Sequence, residues 1–247
     1  MKRILLVVCA WALLQPAGAA AVDCFELQQG QVRASVCRVN VKQERLQLFL
    51  QDGQGRTFGG FAGLERWLDG KGEKLGFAMN AGMYRPDYSP AGLYISEGHR
   101  MRPLVTANGH GNFYLKPNGV FLVSDAGARV VETAEYVRLR EKVTLATQSG
   151  PLLLRHGTIH PAFRPQSDSR LIRNGVGVPS PDIALFAISD TPVNFYEFAV
   201  LFRDVLHCPD ALYLDGNVSS LHAPQLGRSD RMARLGPILA VVEPRGP

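Results

Sequence analysis

Apolar and polar residues alternate along much of this chain in runs too short for long helices. Leu46, Leu48 and Leu50 interleave with Gln47, Phe49 and Gln51, the period-two pattern of a half-buried strand, and Asp52-Gly53 then turns the chain. Further apolar segments at 75–79, 92–96, 113–115, 120–124 and 129–132 predict strands, with Pro117-Asn118-Gly119 as a hairpin turn between the third and fourth of these. Two segments carry the helical period instead. At 62–69 Leu64, Trp67 and Leu68 share a face and Gly70 stops the helix. After Asn194, which with Glu197 has capping-box character, Phe195, Phe198, Ala199, Phe202, Val205 and Leu206 fall on one stripe that ends at Cys208-Pro209. Residues 211–214 then read as a buried strand that delivers Asp215 at its C-terminal end. The expected fold class is α+β (mixed α/β): strand-rich, with a mixed sheet and a few helices.

The N-terminus breaks this pattern. Lys2 and Arg3 precede an apolar run at 4–14, and Ala17, Ala19 and Ala21 follow, so residues 1–21 read as a cleavable signal peptide. The run falls short of the ~20 residues that span a bilayer, and Gln15 and Pro16 stop it. An exported chain, periplasmic or secreted and without stable membrane insertion, is therefore expected. Residues 22–247 contain no linker, repeat or low-complexity tract and are read as one domain. Cys9 leaves with the signal. Of the remaining cysteines, Cys24 and Cys37 suit a staple across an N-terminal hairpin with Cys208 a buried thiol, although other pairings stay open at this point. Losing Lys2 and Arg3 leaves 25 of the 27 basic residues against 22 acidic ones. With no basic cluster besides, nucleic acid is excluded as a partner class.

Four loops depart from what a core requires. Asn80-Ala81-Gly82-Met83-Tyr84 follows an apolar strand, and Gly109-His110-Gly111-Asn112-Phe113-Tyr114 leads into the Pro117 hairpin. Gln148-Ser149-Gly150-Pro151 lies between apolar strands, and Asp215-Gly216-Asn217-Val218-Ser219-Ser220 ends the strand after the helix. Each sets glycine beside hydrogen-bonding side chains, which lets backbone amides approach a ligand. The stretch from Arg170 to Gly175 is a fifth candidate. Taken singly these are ordinary turn chemistry; together they describe a polar, glycine-lined site. Metal chemistry is not indicated, because Gly157 and Pro161 keep His156 and His160 off a shared helical face. Ser149 stands in no Gly-x-Ser-x-Gly elbow, which argues against a serine hydrolase.

In order, Asn-Ala-Gly-Met-Tyr, Gln-Ser-Gly-Pro-Leu-Leu, Arg-Asn-Gly-Val-Gly and Leu-Asp-Gly-x-x-Ser-Ser resemble the motifs of phosphodiester glycosidase domains. That family includes the N-acetylglucosamine-1-phosphodiester alpha-N-acetylglucosaminidase called the uncovering enzyme, and the pattern looks closest to an exported bacterial branch of it. The resemblance runs from about residue 75 to the C-terminus. It implies hydrolysis of a sugar C1–O–phosphate bond, with a small-molecule or glycan sugar phosphate as substrate and no cofactor. Phosphate leaves easily, so one carboxylate with good donors suffices where ordinary glycosides need two. On this reading Asp215 activates water or stabilises the oxocarbenium-like sugar, Arg173 clamps phosphate oxygens, and Asn80, Gln148 and Ser149 add hydrogen bonds. Gly216, Ser219 and Ser220 form an anion nest, and Tyr84 and Asn112 contact sugar. The chain departs from the family at Ala81, in place of the usual glycine, and at Asn217 and Val218, in place of two glycines; the added bulk narrows the site. A non-catalytic envelope module that binds anionic glycans or sugar phosphates is the alternative.

Overall fold

The alternating segments assemble into three sheets in the computed structural model, which describes residues 22–246. The segment read as a signal peptide lies outside the described residues. The first sheet has seven strands in the order Asp23–Gln29, Val32–Asn40, Ile183–Ser189, Asn174–Ser180, Asp210–Asp215, Leu152–Arg155 and Thr158–Ile159. The second has five: Arg228–Ser229, Leu221–Ala223, Glu73–Asn80, Ile238–Pro244 and Leu46–Phe49. The third, also of five, runs His99–Arg102, Tyr94–Ser96, Val143–Ser149, Gly119–Ser124 and Gly127–Glu132. Phe186 of the first sheet meets Phe77 of the second at 5.2 Å and Phe121 of the third at 5.6 Å between ring centroids, so one apolar cluster is shared by all three. Among the described residues no helix is long and apolar enough to cross a membrane.

With 44% strand against 13% helix, the chain is roughly α+β but mostly β. The expected mixed sheet does not form: every strand pair among the described residues is antiparallel. The helical connection explains why. Strands Ile183–Ser189 and Asp210–Asp215, joined through that helix, run the same way, but Asn174–Ser180 lies between them and pairs antiparallel with both. The crossover is thus present and the parallel contact is not.

The local signals for this helix are realised. Glu197 N donates to Asn194 Oδ1 at 2.9 Å and Asn194 N to Glu197 Oε2 at 3.0 Å, closing the capping box. The helix Phe195–Val200 then widens into a π-turn at Leu201–Val205, with Leu206 N reaching back to Leu201 O. Phe198 and Phe202 pack on a sheet surface kept bare by Gly175 and Gly177. A Cβ at Gly177 would come within 2.6 Å of both the Phe202 ring and the Cys208 sulfur.

Elsewhere the expected strand at 113–115 is a 3₁₀ turn, Asn112–Tyr114. Buried Asn118 takes the Phe113 carbonyl with its side-chain amide at 2.8 Å, which removes that group from any ladder. Cys24 and Cys37 face each other across the first hairpin and form a disulfide, and Cys208 is free and buried.

Gly177→Ala is expected to lower the unfolding free energy by about 1–3 kcal/mol through overpacking of this layer. Urea denaturation compared with the unaltered chain checks it.

Candidate active site

Three strand ends meet where the first and second sheets approach. Strand Glu73–Asn80 ends on Asn80, strand Asn174–Ser180 begins at Asn174, and strand Asp210–Asp215 ends on Asp215. Between the last two the register shifts: Gly175 opposes Tyr213, yet Asn174 opposes Asp215. Leu214 is therefore the extra residue of a bulge, its side chain in the core, and the bulge sets Asp215 opposite Asn174.

Asn80 gathers these ends. Its fully buried side-chain oxygen accepts from Asn174 Nδ2 at 2.8 Å and from Ser220 N at 3.0 Å, while its Nδ2 donates to Asp215 Oδ2 at 3.3 Å. The other carboxylate oxygen of Asp215 accepts from Gly216 N at 2.6 Å and Asn217 N at 3.2 Å. Desolvation by burial raises the Asp215 pKa above the ordinary carboxylate value, and the backbone N–H groups of residues 216–218 and the Asn80 amide pull part of it back. The result is a carboxylate of enhanced basicity held in one orientation.

Asp215 looks into a cleft of about 350 Å³ whose polar lining is Tyr84, Asn112, Tyr213 and Asn217, with Met83, Leu171 and Val218 as apolar wall. Tyr84 donates its hydroxyl to Arg234 O at 2.8 Å, and burial, reinforced by the nearby Asp215 charge, pushes its pKa up to about 12. Asn112 enters at the start of its 3₁₀ turn.

The remaining residues expected at the site lie around the cleft without lining it. Gln148 is buried with its amide fully engaged: its oxygen accepts from Leu93 N and Val105 N, and its nitrogen donates to Val105 O and Thr133 Oγ1. Ser149 donates to Leu214 O at 3.0 Å and so supports the bulge. Ser219 donates to Asp215 O at 2.9 Å and Ser220 Oγ to Val218 O at 2.9 Å. The loop expected as an anion nest thus closes on its own carboxylate: Gly216 holds Asp215, and Ser220 N holds Asn80. Arg173, expected as a phosphate clamp, is fully enclosed, its guanidinium donating to Val193 O, Ser169 O and the Tyr213 hydroxyl.

Two contributors escaped the reading of the sequence. Asn174 sits in a quoted motif beside Arg173, and its place opposite Asp215 is its role. Tyr213 looks like one more apolar residue of a buried strand, yet its alternation with Leu212 and Leu214 puts it on the opposite face from them.

A model of the phosphodiester glycosidase family matches residues 73–228. The chain belongs to that family. The family match opens on the strand that ends in Asn80 and closes beyond Ser220, taking in every strand end that meets at Asp215. The chain is also similar to the uncharacterized protein YigE of Escherichia coli (strain K12), 34% identical over 222 residues, which cover 90% of this chain and 85% of that one. In fold it resembles the catalytic domain of zebrafish N-acetylglucosamine-1-phosphodiester alpha-N-acetylglucosaminidase auto-inhibited by its pro-peptide. The TM-score is 0.61 with 92% of this chain and 86% of that one covered, and at 13% identity the likeness is one of fold.

Asn80→Ala leaves the Ser220 N–H without its acceptor, costs the Asn174 amide its shorter hydrogen bond while keeping that to the residue 80 carbonyl, and removes a donor from Asp215. It should lower unfolding free energy by about 1–3 kcal/mol in urea titrations. Loss of that donor also raises the Asp215 pKa further, so the acid limb of any kcat/KM profile should move to higher pH.

Proposed function

We propose that this phosphodiester glycosidase family member is an exported hydrolase that cleaves the C1–O–phosphate bond of a glycosyl phosphodiester, releasing sugar and a phosphomonoester. The observation that carries the reading is a single carboxylate, Asp215, presented to the cleft with raised basicity and with no second acidic side chain in the lining among the described residues. Ordinary glycoside hydrolysis needs a second carboxylic acid to protonate the departing oxygen. The phosphomonoester leaves with its negative charge already stabilised, so one base is enough.

Asp215 takes a proton from water as the water oxygen bonds to C1. The electrons of the C1–O bond go to the phosphate oxygen, and the proton later returns to solvent. Asn80 and the N–H groups of the loop keep the carboxylate from rotating away during this exchange. Asn217 and Val218 stand in the cleft wall where smaller residues would leave more room, so they bear on which sugar enters. Export to a periplasmic or external compartment is supported by the signal-like pattern of residues 1–21 and by the Cys24–Cys37 disulfide.

The test incubates the purified chain with a synthetic N-acetylglucosamine-1-phosphodiester and with a nucleotide-sugar, measuring free sugar and phosphomonoester together. Both products are expected from the unaltered protein, and Asp215→Asn should lose at least ~100-fold in turnover. The acid limb of kcat/KM should lie above the ~3.9 of an unperturbed aspartate. Folding raises this pKa, so ionising Asp215 costs the folded state stability above it; the asparagine variant should therefore melt no lower than the parent near pH 8. Near-normal turnover by Asp215→Asn overturns the assignment, and binding without product release favours a glycan-binding module.

A further inference from the structure

Arg173 is fully buried, yet among the described residues no carboxylate pairs with it. Its hydrogen bonds all end on neutral oxygens: Nε to Val193 O at 2.9 Å, one terminal nitrogen to Ser169 O at 2.8 Å, and the other to the Tyr213 hydroxyl at 3.3 Å. The guanidinium lies 3.8 Å from the centroid of the Phe195 ring, which partly offsets its lost hydration. A buried cation without a counter-ion is unfavourable by itself. Among its hydrogen-bond partners Tyr213 is the one that lines the cleft, together with Asp215.

Resting on the sugar phosphodiester reading above, we infer that the Tyr213 hydroxyl is the hydrogen-bond donor to the phosphate oxygen departing from C1, and that Arg173 is the positioning residue that orients and polarises it. Three observations lead there. Arg173 donates to the phenolic oxygen, and a guanidinium cannot accept, so the hydroxyl's own hydrogen is left to point elsewhere. Next, the loop is cut to admit this hydroxyl: a Cβ at Gly216 would fall 2.3 Å from it. Last, the backbone donors of the loop are occupied, since Gly216 N and Asn217 N hold Asp215 and Ser220 N holds Asn80, which leaves side chains to serve the phosphate, and of these Tyr213 is the one backed by a cation. Burial pushes the Tyr213 pKa up to about 12, so the group stays protonated and donates a hydrogen bond without giving up its proton. A fixed donor backed by a buried positive charge stabilises negative charge gathering on the leaving oxygen more than it stabilises the ground state.

The experiment compares the full chain with Tyr213→Phe, Arg173→Lys and the double variant on the sugar phosphodiester, with inhibition by inorganic phosphate measured alongside. Tyr213→Phe should lower kcat about 100-fold or more with KM little changed, and should weaken phosphate inhibition. Arg173→Lys should lower kcat too. The double variant should be no slower than Tyr213→Phe alone, because the cation acts through the hydroxyl. Multiplying losses, or a Tyr213→Phe kcat near the parent's, overturns the inference while leaving the Asp215 reading intact. No turnover by the parent overturns both. Should Arg173→Lys fail to fold by circular dichroism, the kcat and phosphate inhibition of Tyr213→Phe decide alone.

Discussion

One buried carboxamide, that of Asn80, determines how the two sheets present their chemistry to each other. Its oxygen faces two donors and its nitrogen faces a carboxylate, so only one orientation of the group satisfies every neighbour. Asn80 and Ser220 belong to or adjoin the second sheet, while Asn174 and Asp215 belong to the first. The amide therefore joins the sheets at the cleft and gives Asp215 an environment that a loop alone would not maintain. The shared cluster around Phe186 supplies the rigid background, and Asn80 converts that rigidity into the placement of one oxygen pair.

Two ionisable groups sit in low dielectric on either side of Tyr213, and neither is neutralised by the other. Asp215 rests on backbone N–H groups and an amide; Arg173 rests on carbonyls, a hydroxyl and an aromatic face. Of these two dipole-supported charges only that of Asp215 faces the cleft, while Arg173 reaches it through the Tyr213 hydroxyl. The arrangement places its least stable features at the cleft, where a natural protein exchanges stability for reactivity.

Much of the framework was legible in the chain. The capping box at Asn194 and Glu197, the glycine stop at Gly70 and the strand that ends on Asp215 all follow from local chemistry, which sequence records directly. What could not be read depends on partners distant in the chain. Counting along the strand does not set Asp215 opposite Asn174, and only the pairing of the two reveals the bulge at Leu214. Gln148 has the look of a ligand donor, but the backbone at Leu93 and Val105 uses it. Likewise an apolar stripe cannot show that its crossover spans an intervening antiparallel strand, which is why a mixed sheet was expected where an antiparallel one formed.

The buried thiol of Cys208 bears on the durability of the N-terminal hairpin. Disulfide exchange begins with attack by a thiolate, and burial pushes the Cys208 pKa up to about 12 behind the packed rings of the helix. The odd cysteine is thus chemically silent. The covalent link between Cys24 and Cys37, on an outermost strand whose register could otherwise slip, faces no rival thiolate among the described residues.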